Sequence, residues 1–247
     1  HSITKMSHLH FVATEKYRKR VIQLGEEPDR VFNVGALGVD NISNIELLNK
    51  RDFEKSLKIK LLDKNLLVTF HPVTLENNTS EHQTKELLLA LDELDNTGLI
   101  FTMPNSDTDG RIIFKLIEDF VSTHENAHVY TSLGKLRYLS AIAHVDAVIG
   151  NSSSGLIEVP CFKKPTINIG DRQRGRIKGN SVIDCLPNRN SIKQAIEYSY
   201  SNEFQEITLD SENPYGEGGA SKSIVEILEK ISCKELVKKK FYDIDAL

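Results

Sequence analysis

An α/β architecture, with a parallel sheet wound on both faces by helices, is predicted for this 247-residue chain by three observations. Short apolar runs alternate with amphipathic stretches almost throughout, as they do where crossover helices join parallel strands. Five of the runs lead directly into polar loops, which in an open parallel sheet gather at the carboxyl ends of the strands. With 39% hydrophobic and 27% charged residues, the chain can bury a substantial core.

The strand candidates are LHFVAT (9–14), VFNVG (31–35), LLVTF (66–70), LIFTM (99–103), AHVYTS (127–132), DAVIG (146–150) and PTINIG (165–170). Thr14 is placed to cap a helix whose stripe is Tyr17, Val21, Ile22 and Leu24, and Gly25 stops it. Apolar residues recur at helical spacing over 81–94 (Leu87, Leu88, Leu91, Leu94) and 109–121 (Ile112, Ile113, Leu116, Ile117, Phe120). Further helices are predicted at 136–144, 155–159, 191–200, 220–231 and, rich in Lys, 234–242. Seven strands could form one sheet. The polar, helix-prone stretch 41–60 interrupts the alternation, however, and places a domain boundary near Asp40. The chain starts at His1 directly on a helical pattern (Ile3, Met6, Leu9), which suggests a piece of something longer.

Composition narrows the function classes. Lys and Arg total 31 against 35 Asp and Glu, so nothing global favours nucleic acid or an anionic membrane, and any anion site must be local. No run approaches the roughly 18 apolar residues of a membrane-spanning helix. Cys161, Cys185 and Cys233 are odd in number and widely spaced, which argues against a disulfide framework or a zinc site and for a reducing cytoplasm.

The loops after the strands carry the chemistry. GNSSSGLIEV (150–159) is a Ser/Gly turn opening a helix, where unpaired N–H groups, hydroxyls and the helix dipole converge on an anion. Glu158 follows Ser154 by one turn, within reach of a ribose attached to a diphosphate held there. An ordinary serine cap, with Glu158 paired to a surface lysine, is the alternative. In DRQRGRIKG (171–179), Arg172, Arg174, Arg176 and Lys178 alternate; one arginine is expected to turn inward and at least two of the four to be solvated. His71 stands before Pro72 at a strand mouth, suited to proton transfer or to stabilising a departing phosphate. His128 and His144 are read as structural, and His1, His8, His10, His82 and His124 as unremarkable. Asn105 is placed to bond a base or sugar, and Asp107 and Asp109 to cap the next helix. NPYGEGGAS (213–221) reads as a turn before a helix rather than a phosphate contact.

Together, HSITKMSHLHFVAT (1–14), VGALGVDNI (34–42), FHPVT (70–74), MPNSDTDG (103–110), the run from Gly150 to Arg176 and NPYGEGGAS resemble the hydrolysing UDP-N-acetylglucosamine 2-epimerases of bacterial sialic-acid pathways. Related enzymes acting on UDP-N,N'-diacetylbacillosamine in the legionaminic-acid pathway share most of these motifs. The resemblance implies the Rossmann-like doubly wound sheet of a glycosyltransferase-B type two-domain fold. Residues 1–40 would be a remnant of the N-terminal domain, 41–228 the nucleotide-binding C-terminal domain, and 229–247 a helix returning to the first domain.

It also implies roles. Ser152 and Ser153 would bind the diphosphate, Glu158 the ribose and Arg172 a phosphate. His71 would stand beside the diphosphate, and Asn105 and Leu133 would line the nucleotide pocket, Leu133 by its backbone. The implied reaction eliminates UDP from UDP-GlcNAc and adds water to give N-acetylmannosamine, with no metal or nicotinamide cofactor. The family's acids for proton abstraction lie in a part that this chain does not match. A glycosyltransferase on the same fold, or a nucleotide-binding module, would use the same loops. The implied partners are the UDP-sugar, UDP and further copies of the chain, as family members are commonly dimers or tetramers.

Overall fold

The computed structural model describes residues 1–73, 79–103, 110–232 and 238–244, without the side chains of residues 41 and 43. The chain divides into two compact units, residues 45–212 and residues 1–44 with 213–247.

The larger unit is built on six parallel strands: β3 (Lys64–Thr69), β4 (Thr97–Thr102), β5 (Ala127–Tyr130), β6 (Ala147–Gly150), β7 (Thr166–Ile169) and β8 (Val182–Cys185). Their order is β5-β4-β3-β6-β7-β8. The chain therefore builds outward from β3 in one direction, then returns to the other side of β3 and builds the opposite way. Right-handed crossovers in opposite directions require helices on opposite faces. On one face lie α5 (Ser80–Asp92), α6 (Gly110–Thr123) and α9 (Arg189–Ser199), whose Leu87, Leu91, Ile113, Ile117, Ile192 and Ile196 pack against Leu66, Val68, Phe101, Ile149 and Ile167. The alternate strand residues Leu67, Ile100 and Val148 are buried on the other face, where α7 (Gly134–His144) packs on β3 and on α4 (Lys50–Leu57), and the single-turn α8 (Ser154–Ile157) packs on β6 and β7. α10 (Asn202–Asp210) follows α9.

The caps are local. Asn49, Asn188 and Ser201 each accept a backbone N–H three residues on, opening α4, α9 and α10. At the amino ends of the central strands, Asp146 accepts the Asn65 N–H at 2.7 Å.

The smaller unit contains β1 (His10–Val12) paired in parallel with β2 (Val31–Asn33), α1 (Ser2–Met6), α2 (Glu15–Gln23), α3 (Leu37–Ser43) and α11 (Ala220–Lys230). The first two strands thus form their own sheet. Thr14 Oγ1 accepts the Tyr17 N–H at 3.2 Å to open α2, and Gly25 follows that helix at φ +83°. The buried Asp40 carboxylate accepts the N–H groups of Ala220 (2.9 Å) and Ser221 (2.6 Å), so the start of α11 already holds an anion of its own. Hydrogen bonds from the Ser221 side chain and backbone hold that carboxyl below its usual range.

Several expectations need correction. β8 was not expected: its half-buried, edge-strand pattern lacks a continuous apolar run. α10 was also missed, because Ile207 and Leu209 sit on its exposed side and blur the periodicity. The helix expected at 155–159 is four residues of α8 followed by a 3-10 turn, Val159–Phe162, with Pro160 in its first turn. The lysine-rich helix expected at 234–242 is not helical over 238–242; residues 233–237 lie outside the described residues. His10 is not unremarkable, because it is buried against Glu26 at 2.7 Å. His124 pairs with Asp92 at 2.8 Å and stacks on Phe120, and the Asp92 hydrogen bond raises its pKa.

Candidate functional site

In a parallel sheet that reverses its building direction, the connections after the two strands at the reversal run to opposite faces and leave a crevice outside the carboxyl ends. Here those strands are β3 and β6. The register aligns Tyr130, Thr102, Thr69 and Gly150, the last residues of four strands, with Asn168, the last but one of β7, so the loops after them leave from one edge. Beneath that edge the Thr69 and Thr102 hydroxyls share a buried 2.7 Å hydrogen bond. Gly150 ends β6 at φ +141°, and a Cβ there would lie 1.9 Å from the Thr69 carbonyl oxygen. Only glycine permits the backbones to approach this closely.

Asn151, 1% exposed, joins three of the loops. Its Oδ1 accepts the His71 N–H at 2.7 Å, and its Nδ2 donates to the His71 carbonyl at 2.8 Å. Its own carbonyl accepts from Arg172 Nη1 at 3.1 Å and from the buried Gln173 Nε2 at 2.7 Å. The loops after β3, β6 and β7 thus meet at one residue, and they carry His71, Ser152 with Ser153, and Arg172.

Ser152, Ser153 and Ser154 are half-buried at the start of α8. Among the described residues no carbonyl accepts from the Ser152 or Ser153 N–H, while Ser152 Oγ accepts the Ser154 N–H at 3.4 Å. A single helical turn aligns few peptide dipoles, so the macrodipole expected here contributes little, and the N–H and hydroxyl groups themselves are what an anion would meet there. Glu158 closes the turn, its N–H bonded to the Ser154 carbonyl at 2.9 Å. Its carboxylate has no ion-pair partner among the described residues. The Tyr138 hydroxyl is buried near Ser154, Thr69 and Glu158; burial first, and the Glu158 charge after it, push that phenol up to about 12. It is therefore a donor and not a base at neutral pH.

Of the four alternating cations after β7, all three arginines are exposed, Arg172 nonetheless reaching the Asn151 carbonyl, and Lys178 pairs with Asp184 at 2.7 Å. Leu133 lies at the start of α7 and is 3% exposed as a whole residue, main chain included, and its carbonyl accepts from Arg137 Nε at 2.9 Å. Asn105 lies outside the described residues, as do Asp107 and Asp109. Beyond the ends of β7 and β8 opens a groove of about 590 Å³ lined by Val73, Gly170, Arg174, Cys185 and Pro187 among others. Burial, then the Asp184 charge, pushes the Cys185 thiol up to about 12, so it is no nucleophile at neutral pH.

His144 bonds the Leu48 carbonyl at 2.7 Å and packs on Phe53, while burial lowers the pKa of His128. Among the described residues no group of three or more His, Cys, Asp or Glu side chains is placed to hold a metal, and no helix is long and apolar enough to cross a membrane.

Asn151, Gln173 and Tyr138 were not singled out from the sequence. Asn151 stands inside a run that reads as a turn, and Gln173 between two arginines that draw the eye. Their burial depends on strand order, for which neither residue type carries a local signal.

A family model described as UDP-N-acetylglucosamine 2-epimerase matches residues 1–229. The chain is 43% identical over 246 residues to a GDP/UDP-N,N'-diacetylbacillosamine 2-epimerase (hydrolyzing) of Campylobacter jejuni, covering 99% of this chain and 64% of that protein. It is equally similar, at 43% over 246 residues, to the polysialic acid biosynthesis protein P7 of Escherichia coli, covering 99% of this chain and 62% of that protein. The chain thus spans less than two thirds of the length of these curated relatives. The fold is shared with UDP-GlcNAc 2-epimerase from Neisseria meningitidis bound to UDP-GlcNAc: the TM-score is 0.78 at 21% identity, over 92% of this chain and 63% of that one.

Proposed function

The chain belongs to the UDP-N-acetylglucosamine 2-epimerase family, and on that premise we propose that it supplies the UDP-binding part of a hydrolysing UDP-sugar 2-epimerase. The observation that carries the proposal is the meeting of the β3, β6 and β7 loops at Asn151, which sets His71, the serine turn and Arg172 around one crevice. In this reading the Ser152 and Ser153 N–H and hydroxyl groups and the Arg172 guanidinium hold the diphosphate. Glu158 accepts from the ribose hydroxyls, and the main chain at Leu133 borders the base. His71 stands beside the leaving diphosphate and, protonated, would stabilise the charge that develops as the C1–O bond breaks.

The reaction proposed is elimination of UDP from a UDP-2-acetamido sugar followed by addition of water, with inverted configuration at C2. UDP-GlcNAc would give N-acetylmannosamine. The 43% identity to the Campylobacter jejuni enzyme favours UDP-N,N'-diacetylbacillosamine as a second substrate to test. We place residues 1–44 with 213–247 as part of the family's other Rossmann-like domain, which carries the acids for proton abstraction at C2, and expect the protein to act as a homo-oligomer in the cytoplasm.

Two experiments test this. Calorimetry of the 247-residue protein should show UDP binding that weakens by about 1.5–3 kcal/mol in Arg172→Ala, the value of a hydrogen bond to a charged group; unchanged affinity removes Arg172 from the site. The protein expressed at the full length of its gene should release UDP from one of the two UDP-sugars without an acceptor. Intact substrate in both cases overturns the reaction, and a requirement for an acceptor makes it a glycosyltransferase.

A further inference from the structure

We propose that Asn151 is a positioning residue that couples His71 to Arg172, and that the position demands an amide. The role assigned to its neighbours rests on the reading of this edge as a diphosphate site. Asn151 is 1% exposed, and each of its polar groups is engaged within the protein. Its N–H donates to the Thr69 carbonyl at 3.2 Å, its carbonyl takes Arg172 and Gln173, and its side chain takes both polar groups of residue 71. It therefore acts on a ligand through the residues it holds.

The geometry explains the residue type. One hydrogen bond would fix the distance of the chain after β3 but leave it free to rotate. The pair at 2.7 and 2.8 Å fixes both, and so sets the direction in which the His71 side chain departs. This requires a donor and an acceptor side by side on a short planar group. Aspartate has the same shape but two acceptors, one of which would face the His71 carbonyl and place a negative charge under the crevice. Protonated, its carboxyl again offers one O–H donor and one acceptor. Asn151→Asp is thus a variant whose defect should be repaired by acid, which lost packing would not be.

Calorimetry with UDP on the 247-residue protein, wild type and Asn151→Asp, from pH 8 to pH 5, tests this. The variant should bind about tenfold or more weakly at pH 8, corresponding to one lost charge-assisted contact, and the ratio to wild type should approach one towards pH 5. Equal affinity at pH 8, or a deficit independent of pH in a folded variant, overturns the proposal. A second arm uses no nucleotide: amide hydrogen exchange of His71 by NMR should be strongly protected in the wild type, lose protection in the variant at pH 8 and regain it at pH 5, after correction for intrinsic rates. Rapid exchange at His71 in the wild type overturns the proposal even if the variant does not fold. Absence of UDP binding in a wild type whose His71 amide is protected instead overturns the nucleotide reading and leaves the coupling intact.

Discussion

Gly150→Ala is expected to destabilise the larger unit by at least about 3–5 kcal/mol, more than most single substitutions cost. Two effects combine. The residue sits at φ +141°, outside the regions open to L side chains, and its Cβ would lie 1.9 Å from the Thr69 carbonyl oxygen and 2.6 Å from the carbon behind it. Neither neighbour is the flexible end of a side chain. To admit a methyl group, β3 and β6 would have to part at the crevice, breaking the Thr69–Gly150 register and the Asn151–His71 pair with it. Gly134→Ala is the control: φ is +63°, but nothing lies within 4 Å of the added carbon, so only the left-handed backbone cost of about 1–2 kcal/mol applies. Urea unfolding of both variants measures the difference. A Gly150→Ala protein within 1 kcal/mol of wild type would mean that the two strands are not this close.

The smaller unit should depend as strongly on Glu26. Its carboxylate is 2% exposed and accepts from Lys5, His10 and Lys239, each at 2.7 Å. Burial pushes its pKa up, but the hydrogen bonds from Lys239, Lys5 and His10 outweigh burial and hold it at about 2 rather than 4.5. Lys239 also donates to the carbonyls of Thr4, Lys5 and Ser7, and the Tyr242 N–H donates to the Gly25 carbonyl at 2.9 Å, so the same cluster fastens the described residues 238–242 to α1 and the end of α2. Glu26→Gln removes the carboxylate that Lys5, His10 and Lys239 share and is expected to cost about 3 kcal/mol, at the lower end for a broken buried ion pair because Lys5 can swing into water.

The pH dependence has a definite sign. A carboxylate with a lower pKa in the folded than in the unfolded state contributes fully above about 4.5, and that contribution is lost as pH falls towards 2. Wild type and Glu26→Gln should therefore differ most at neutral pH and converge near pH 2. Amide exchange in β1 and β2, followed with pH, reads this unit directly; a gap that does not narrow in acid would show that the carboxylate is not charged in the fold.

The alternation of apolar runs with amphipathic stretches placed β3, β4, β6 and β7 because a strand buried on both faces must be apolar almost throughout and so announces itself locally, and β1, β2 and β5, though only partly buried, each still carry a short apolar run. The same logic fails for β8, a half-buried edge, and for α10, whose exposed apolar residues carry no consistent face. The loops worth examining were also readable, since the carboxyl ends of parallel strands are where polar residues collect. His71, Ser152, Ser153, Glu158 and Arg172 were named on that ground and from the family resemblance. The serine turn was read as a helix start with a useful dipole, but Pro160 ends that helix after a single turn.

By itself the sequence determined the class of the fold, the family and the chemical character of each loop, all of which are written in short windows or motifs. Only the tertiary structure decided which loops adjoin. The order β5-β4-β3-β6-β7-β8 places residues 69 and 150 side by side and buries an asparagine between 71 and 172. The physical reason is that strand order results from crossover handedness and the packing of both sheet faces together, which no single segment encodes.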